Sequence, residues 1–208
     1  LVRIDSVNPS RRVGGTGYML RDLRAESSGA DQRVDIALQG PKSLDTLLKM
    51  SGDAGEKAAI KALAWAGVTR ATLDGIDLII SRTGYTGDLG FEIWVPAADA
   101  VAVWDAVWAA SRGRDIIPFG MTALYMARIE AGLALLDVDF HSSRFARTDA
   151  DRTTPIELGM GWIFRDLATD DRAFIGHEAV RREIATKSSR WRLSGLILDW
   201  QDYDRIFD

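Results

Sequence analysis

Hydrophobic and polar positions alternate or recur with helical spacing along most of the chain. In VDIALQG (34–40), Val34, Ile36 and Leu38 fall on every second position and predict a strand. PKSLDTLLKMSG follows, with Pro41 at a first helical position and Leu44, Leu47 and Leu48 on one side, predicting a helix. AAIKALAWAG (58–67) reads as a further turn or two of helix closed by Gly67. VTRATL and IDLIIS are β-favouring runs around Asp74-Gly75, the pair that best suits a type I′ turn, so a hairpin is expected. FEIWV (91–95) predicts the next strand, with Phe91, Ile93 and Val95 on one face and Glu92 and Trp94 on the other.

Beyond Pro96, Val101, Trp104 and Trp108 recur at helical spacing before Gly113 and predict a helix whose tryptophans face the core. IIPFGMTALYMARIEAG reads as a short strand, a turn and a helix that groups Met121, Leu124, Tyr125, Arg128 and Ile129. Loop-like sequence runs through DVDFHSSRFARTDADRTTP, a helix is expected from about 176 to 186, and RWRLSGLILDW reads as the start of a strand. Strands and helices interspersed with a hairpin predict an α+β fold, mixed or antiparallel sheets packed with helices.

Composition narrows the function. The 26 Lys and Arg against 30 Asp and Glu carry no like-charge block, which argues against nucleic acid or an anionic membrane as partner. The chain has no cysteine, which excludes disulfides, thiolate metal sites and a cysteine nucleophile and suits a reducing, cytoplasmic setting. Apolar runs stay well below the ~20 residues of a membrane span. His141 and His177 stand in no HExxH-type pattern, and Asp137 and Asp139 lack the glycine-bearing loop of a calcium site, so no metal is expected.

One stretch asks for more than a turn. SRTGYTGDLGFEIWV (81–95) spaces Gly84, Gly87 and Gly90 three apart between two strands, longer than a hairpin needs, and matches no dinucleotide or triphosphate fingerprint. It is either a generous connection or a loop that admits a ligand beside Tyr85 and Glu92.

This segment resembles the motif R-T-G-Y-T-G-E-x-G-F-E of the glycine cleavage system T-protein family, the folate-dependent aminomethyltransferases. ALQGPKS, IIPFGMTALYMARIEAG, TPIELGMGW and FIGHEAV resemble further family segments in the same order. The resemblance implies that residues 34–186 are a folate-binding α+β region, the central part of a three-domain fold. Residues 1–33 would end a partly missing N-terminal region, and 187–208 would begin a C-terminal β-barrel that is otherwise missing. It implies tetrahydrofolate as cofactor, with Glu92 holding the pterin, Tyr85 lying against it and Arg128 also on the folate. Tyr125 and Asp139 would stand on the substrate side, and the partner would be a small one-carbon donor or a lipoyl-carrier-type substrate. A carboxylate suits the pterin because the ring N–H and the exocyclic amine offer two donors side by side.

Departures are equally legible. Ala123-Leu124-Tyr125 stands where the family carries Ala-Arg-Asp, and Leu135-Leu136-Asp137 where it carries Leu-Tyr-Gly. The family's catalytic aspartate has no visible match. The implied reaction is transfer of an aminomethyl or methyl unit to folate. The alternatives are the folate module of a flavin-dependent sarcosine or dimethylglycine dehydrogenase-type protein and a folate-dependent O- or S-demethylase.

Overall fold

The structure is a computed structural model that describes residues 22–113, 115–167 and 174–207. It forms two compact units, Leu1–Ala127 and Arg128–Asp208. The division falls inside the 34–186 stretch read from the sequence as one region.

The first unit is built on a four-stranded antiparallel sheet of β1 (Arg33–Gln39), β2 (Val68–Leu73), β3 (Ile76–Ser81) and β4 (Gly90–Pro96), in the order β1-β4-β3-β2. Asp74 and Gly75 join β2 to β3 at φ 50° and 79°, the two positive values that a type I′ turn requires. Strand alternation then sorts the side chains. Ile36, Leu38, Leu78, Ile80, Phe91, Ile93 and Val95 point to one face and form the core with Leu47, Met50, Ile60, Val103 and Val107. Those last five come from α1 (Ser43–Met50), α2 (Ala54–Lys61) and α3 (Ala100–Ser111). Asp53 caps α2 by accepting from the Glu56 N–H at 2.8 Å, and Glu56 in turn accepts from the Thr72 N–H at 2.7 Å, tying that helix to β2.

Two expectations fail here for physical reasons. Trp104 and Trp108 do not enter the core; they stay 43% and 37% exposed while Val103, Val107 and Ser111 are buried. The helix is apolar nearly all round, so hydrophobic spacing alone cannot choose between its two stripes. Ile116 and Ile117 form no strand; residues 115–120 run as irregular chain into α4 (Met121–Glu130).

The second unit contains α5 (His177–Thr186), close to its expected range, and α6 (Trp200–Phe207). The strand expected from RWRLSGLILDW is absent: residues 188–199 are irregular, and Leu196, Ile197 and Leu198 are largely exposed. A strand needs a neighbour for its backbone groups, whereas a helix satisfies them locally. Asp199 starts α6 by accepting from the N–H groups of Gln201 at 2.8 Å and Asp202 at 3.4 Å. Among the described residues no helix is long and apolar enough to cross a membrane.

Candidate functional site

The sheet face opposite the core carries the chemistry of the first unit. The register places Asp35 opposite Trp94 and Ala37 opposite Glu92 on β1 and β4, with Ser81 of β3 across from Glu92 on the other side. Asp35, Glu92, Trp94 and Ser81 therefore share one face, and Glu92 and Trp94 are half-buried there. Glu92 accepts a hydrogen bond from the Thr83 hydroxyl. Thr83 Oγ1 lies 2.7 Å from Ser81 Oγ, and the Trp94 indole N–H donates to Ser81 Oγ at 3.3 Å. Desolvation, and secondly the charge of Glu92, push the Asp35 carboxyl up to about 6 from an ordinary 3.8.

Two glycines of the loop make room for a side chain of β1. A Cβ on Gly84 or on Gly90 would overlap the side-chain amide of Gln39, which lies across both. Gln39 stands opposite Gly90 in the ladder; its Nε2 donates to the Phe91 carbonyl at 3.1 Å and the Thr83 carbonyl at 3.3 Å, and its Oε1 accepts from Thr86 Oγ1 at 3.4 Å. Two of the three glycines thus make room for a side chain of the ALQGP segment. Gly87 serves the turn itself at φ 77°.

Tyr85 is half-buried in this loop and Tyr125 is 43% exposed on α4. A cavity of about 900 Å³ lies along the β1 edge, between Val34, Trp104, Trp108, Ile117 and Leu124; neither Glu92 nor Tyr85 lines it.

In the second unit, Arg128 is 4% exposed, and its guanidinium pairs with Asp139 and donates to the Leu133 carbonyl at 3.3 Å. Asp139 also accepts from the Leu135 N–H at 2.7 Å. The pair therefore staples the loop after α4 to that helix. Asp137 sits at φ 63° and lies 3.8 Å from the exposed His141.

Glu157 of the TPIELGMGW segment is 3% exposed. Burial by itself would raise its carboxyl, but the Thr154 and Arg190 backbone N–H groups, at 3.0 and 2.8 Å, and the Arg190 charge outweigh that and hold it below the usual range. Asp35, Ser81, Thr83 and Gln39 were not singled out from the sequence. Alternation with Asp77 and Ile79 along β3, opposite the core-facing Leu78 and Ile80, could have flagged Ser81, but the strand pairing that gathers the others is not written in any local pattern.

An antiparallel sheet with one face closed by helices and a carboxylate-bearing face opposite defines an α+β domain. Residues 20–166 match the family model described as the GCVT N-terminal domain, and the chain belongs to that family, the glycine cleavage T-proteins.

It is 37% identical over 185 residues to a trimethylamine-oxide aldolase of Ruegeria pomeroyi, covering 83% of this chain and 22% of that one. It is 34% identical over 164 residues to an aminomethyltransferase of Xanthomonas campestris pv. campestris, covering 79% of this chain and 40% of that one. The crystal structure of glycine cleavage system aminomethyltransferase T from Bartonella henselae superposes with a TM-score of 0.55 at 26% identity, over 74% of this chain and 37% of that one. The chain thus spans less than half the length of each of these relatives.

Proposed function

We propose that this chain carries the folate-holding part of an enzyme that transfers an aminomethyl or methyl unit from a small donor to tetrahydrofolate. The observation that supports it most is Glu92: a half-buried carboxylate on the open sheet face, with one oxygen engaged by Thr83 and acceptor capacity left for a ligand. That pair of acceptor oxygens fits a pterin edge, which presents two N–H donors together. Tetrahydrofolate would supply the nitrogen that takes up the one-carbon unit. Glu92 binds and orients the pterin, and Tyr85 lies against it. In the second unit, Arg128 acts through Asp139, fixing the loop that the resemblance puts on the substrate side, with Tyr125 nearby in sequence on α4. Orientation of the reactants is the larger part of the catalytic contribution in this reading.

A second reading is favoured by the aldolase similarity, which lies within a much longer chain. Here the same fold would be a folate module that captures a one-carbon unit released from a methylated amine by another part of the protein. Lipoyl-carrier recognition belongs to the first reading alone, and a cytoplasmic setting suits both.

Calorimetric titration of the intact protein with tetrahydrofolate tests both. Glu92→Gln keeps the volume and can still accept from Thr83, but faces the pterin with a donor. The expected cost is about 2–4 kcal/mol, or roughly 30-fold to 1000-fold in affinity, with the ligand-free melt unchanged. Equal affinity, or a collapsed melt, would make Glu92 a structural residue.

A further inference from the structure

The polar contacts around Glu92 run in one direction. Trp94 Nε1 can only donate, so at 3.3 Å the Ser81 oxygen accepts from it. Ser81 has one proton to give, and Thr83 Oγ1 at 2.7 Å is closer than its alternative, the Glu92 backbone carbonyl at 3.5 Å. The proton of Thr83 goes to Glu92 Oε2. Ser81 is 4% exposed, so its orientation is set by these partners and not by bulk water.

The geometry points to Ser81 and Thr83 as positioning residues for Glu92: a one-way donor chain from Trp94 fixes the plane of the carboxylate, so that the face selects ligands presenting two N–H donors side by side. This rests on the pterin reading of Glu92. A carboxylate free to rotate would accept one donor almost as well, but would lose the preference for a paired edge. The chain is assembled from three elements, β3, the loop after it and β4, and a hydroxyl at each of positions 81 and 83 is what lets it run unbroken.

The test compares 5-formyltetrahydrofolate with its 2-deamino analogue, which lacks the exocyclic donor, by titration calorimetry on the intact protein. Thr83→Val keeps the shape and removes the hydroxyl. Affinity for 5-formyltetrahydrofolate is expected to fall about 10-fold to 30-fold, and that for the 2-deamino analogue by no more than about 3-fold, so that discrimination collapses. Thr83→Ser restores the discrimination. Equal losses for both ligands, unchanged affinity, or no rescue by serine would overturn the proposal.

A ligand-free readout separates this inference from the function it rests on. In ¹⁵N spectra, the Trp94 indole N–H, assigned with Trp94→Phe, should shift and exchange faster in Ser81→Ala. If the wild type binds no folate while Trp94 responds in this way, the pterin reading fails and the donor chain stands. If Trp94 does not respond, the donor chain itself is refuted.

Discussion

Replacing Gly90 by alanine tests why the loop is rich in glycine. The added Cβ would overlap the Gln39 amide, which is the far end of a flexible side chain, so Gln39 can swing away. Doing so gives up its bonds to the Phe91 and Thr83 carbonyls and from Thr86. One of these is ordinary in length and two are long, so the loss is about 2 kcal/mol, at roughly 1 kcal/mol for the first and about half that for each of the others. Alanine recovers roughly 0.5 kcal/mol through the lower entropy of its unfolded chain, leaving a net cost of about 1.5 kcal/mol. At the usual scaling for a chain of this size, the melting temperature falls by about 3–6 °C.

The double-mutant cycle makes the reasoning specific. Gln39→Ala alone should cost about 2 kcal/mol for the same bonds. In that background Gly90→Ala meets no obstacle and should be neutral or slightly stabilising, a coupling of about 2 kcal/mol. Urea denaturation followed by circular dichroism measures all four corners. If Gly90→Ala still costs more than about 1 kcal/mol without Gln39, the glycine serves something other than the glutamine.

Asp35→Asn probes the sheet face by pH. Because the folded carboxyl titrates near 6 and the unfolded one near 3.8, the fold binds more protons in that window, so stability from this group is full below about 4 and lost as pH rises through 6. The variant should match wild type at pH 4 and exceed it at pH 7 by about 1 kcal/mol, the shift being discounted because Asp35 is solvent-exposed on one side; denaturation at the two pH values gives the difference. Arg128→Leu should cost about 2–3 kcal/mol by leaving Asp139 without its cation, a figure below that of a fully buried pair because Asp139 keeps partial solvent access; loss of amide protection at Leu135 checks it. Tetrahydrofolate itself should raise the melting temperature of the wild type and not of Glu92→Gln, measured by thermal shift.

Periodicity by itself determined most of the first unit. Alternation in VDIALQG and FEIWV and the β-favouring runs VTRATL and IDLIIS placed the strands, Asp74-Gly75 the turn, and the opposition of Glu92 to Phe91 and Ile93 followed from the two-residue repeat of any strand. These are local properties, set by backbone geometry and by which face must leave water. What joins distant segments was not legible. That β1 pairs with β4, bringing Asp35 beside Glu92 and Gln39 across Gly84 and Gly90, is a matter of register between strands some fifty residues apart. The side of α3 that is buried, and the partner that Arg128 finds in Asp139, are likewise decided by packing, because a nearly uniform apolar helix and a lone arginine each admit several local solutions. RWRLSGLILDW shows the same limit from the other direction: its β-favouring residues specify a strand only where another strand lies alongside, and residues 188–199 stay irregular, with α6 beginning only after Asp199.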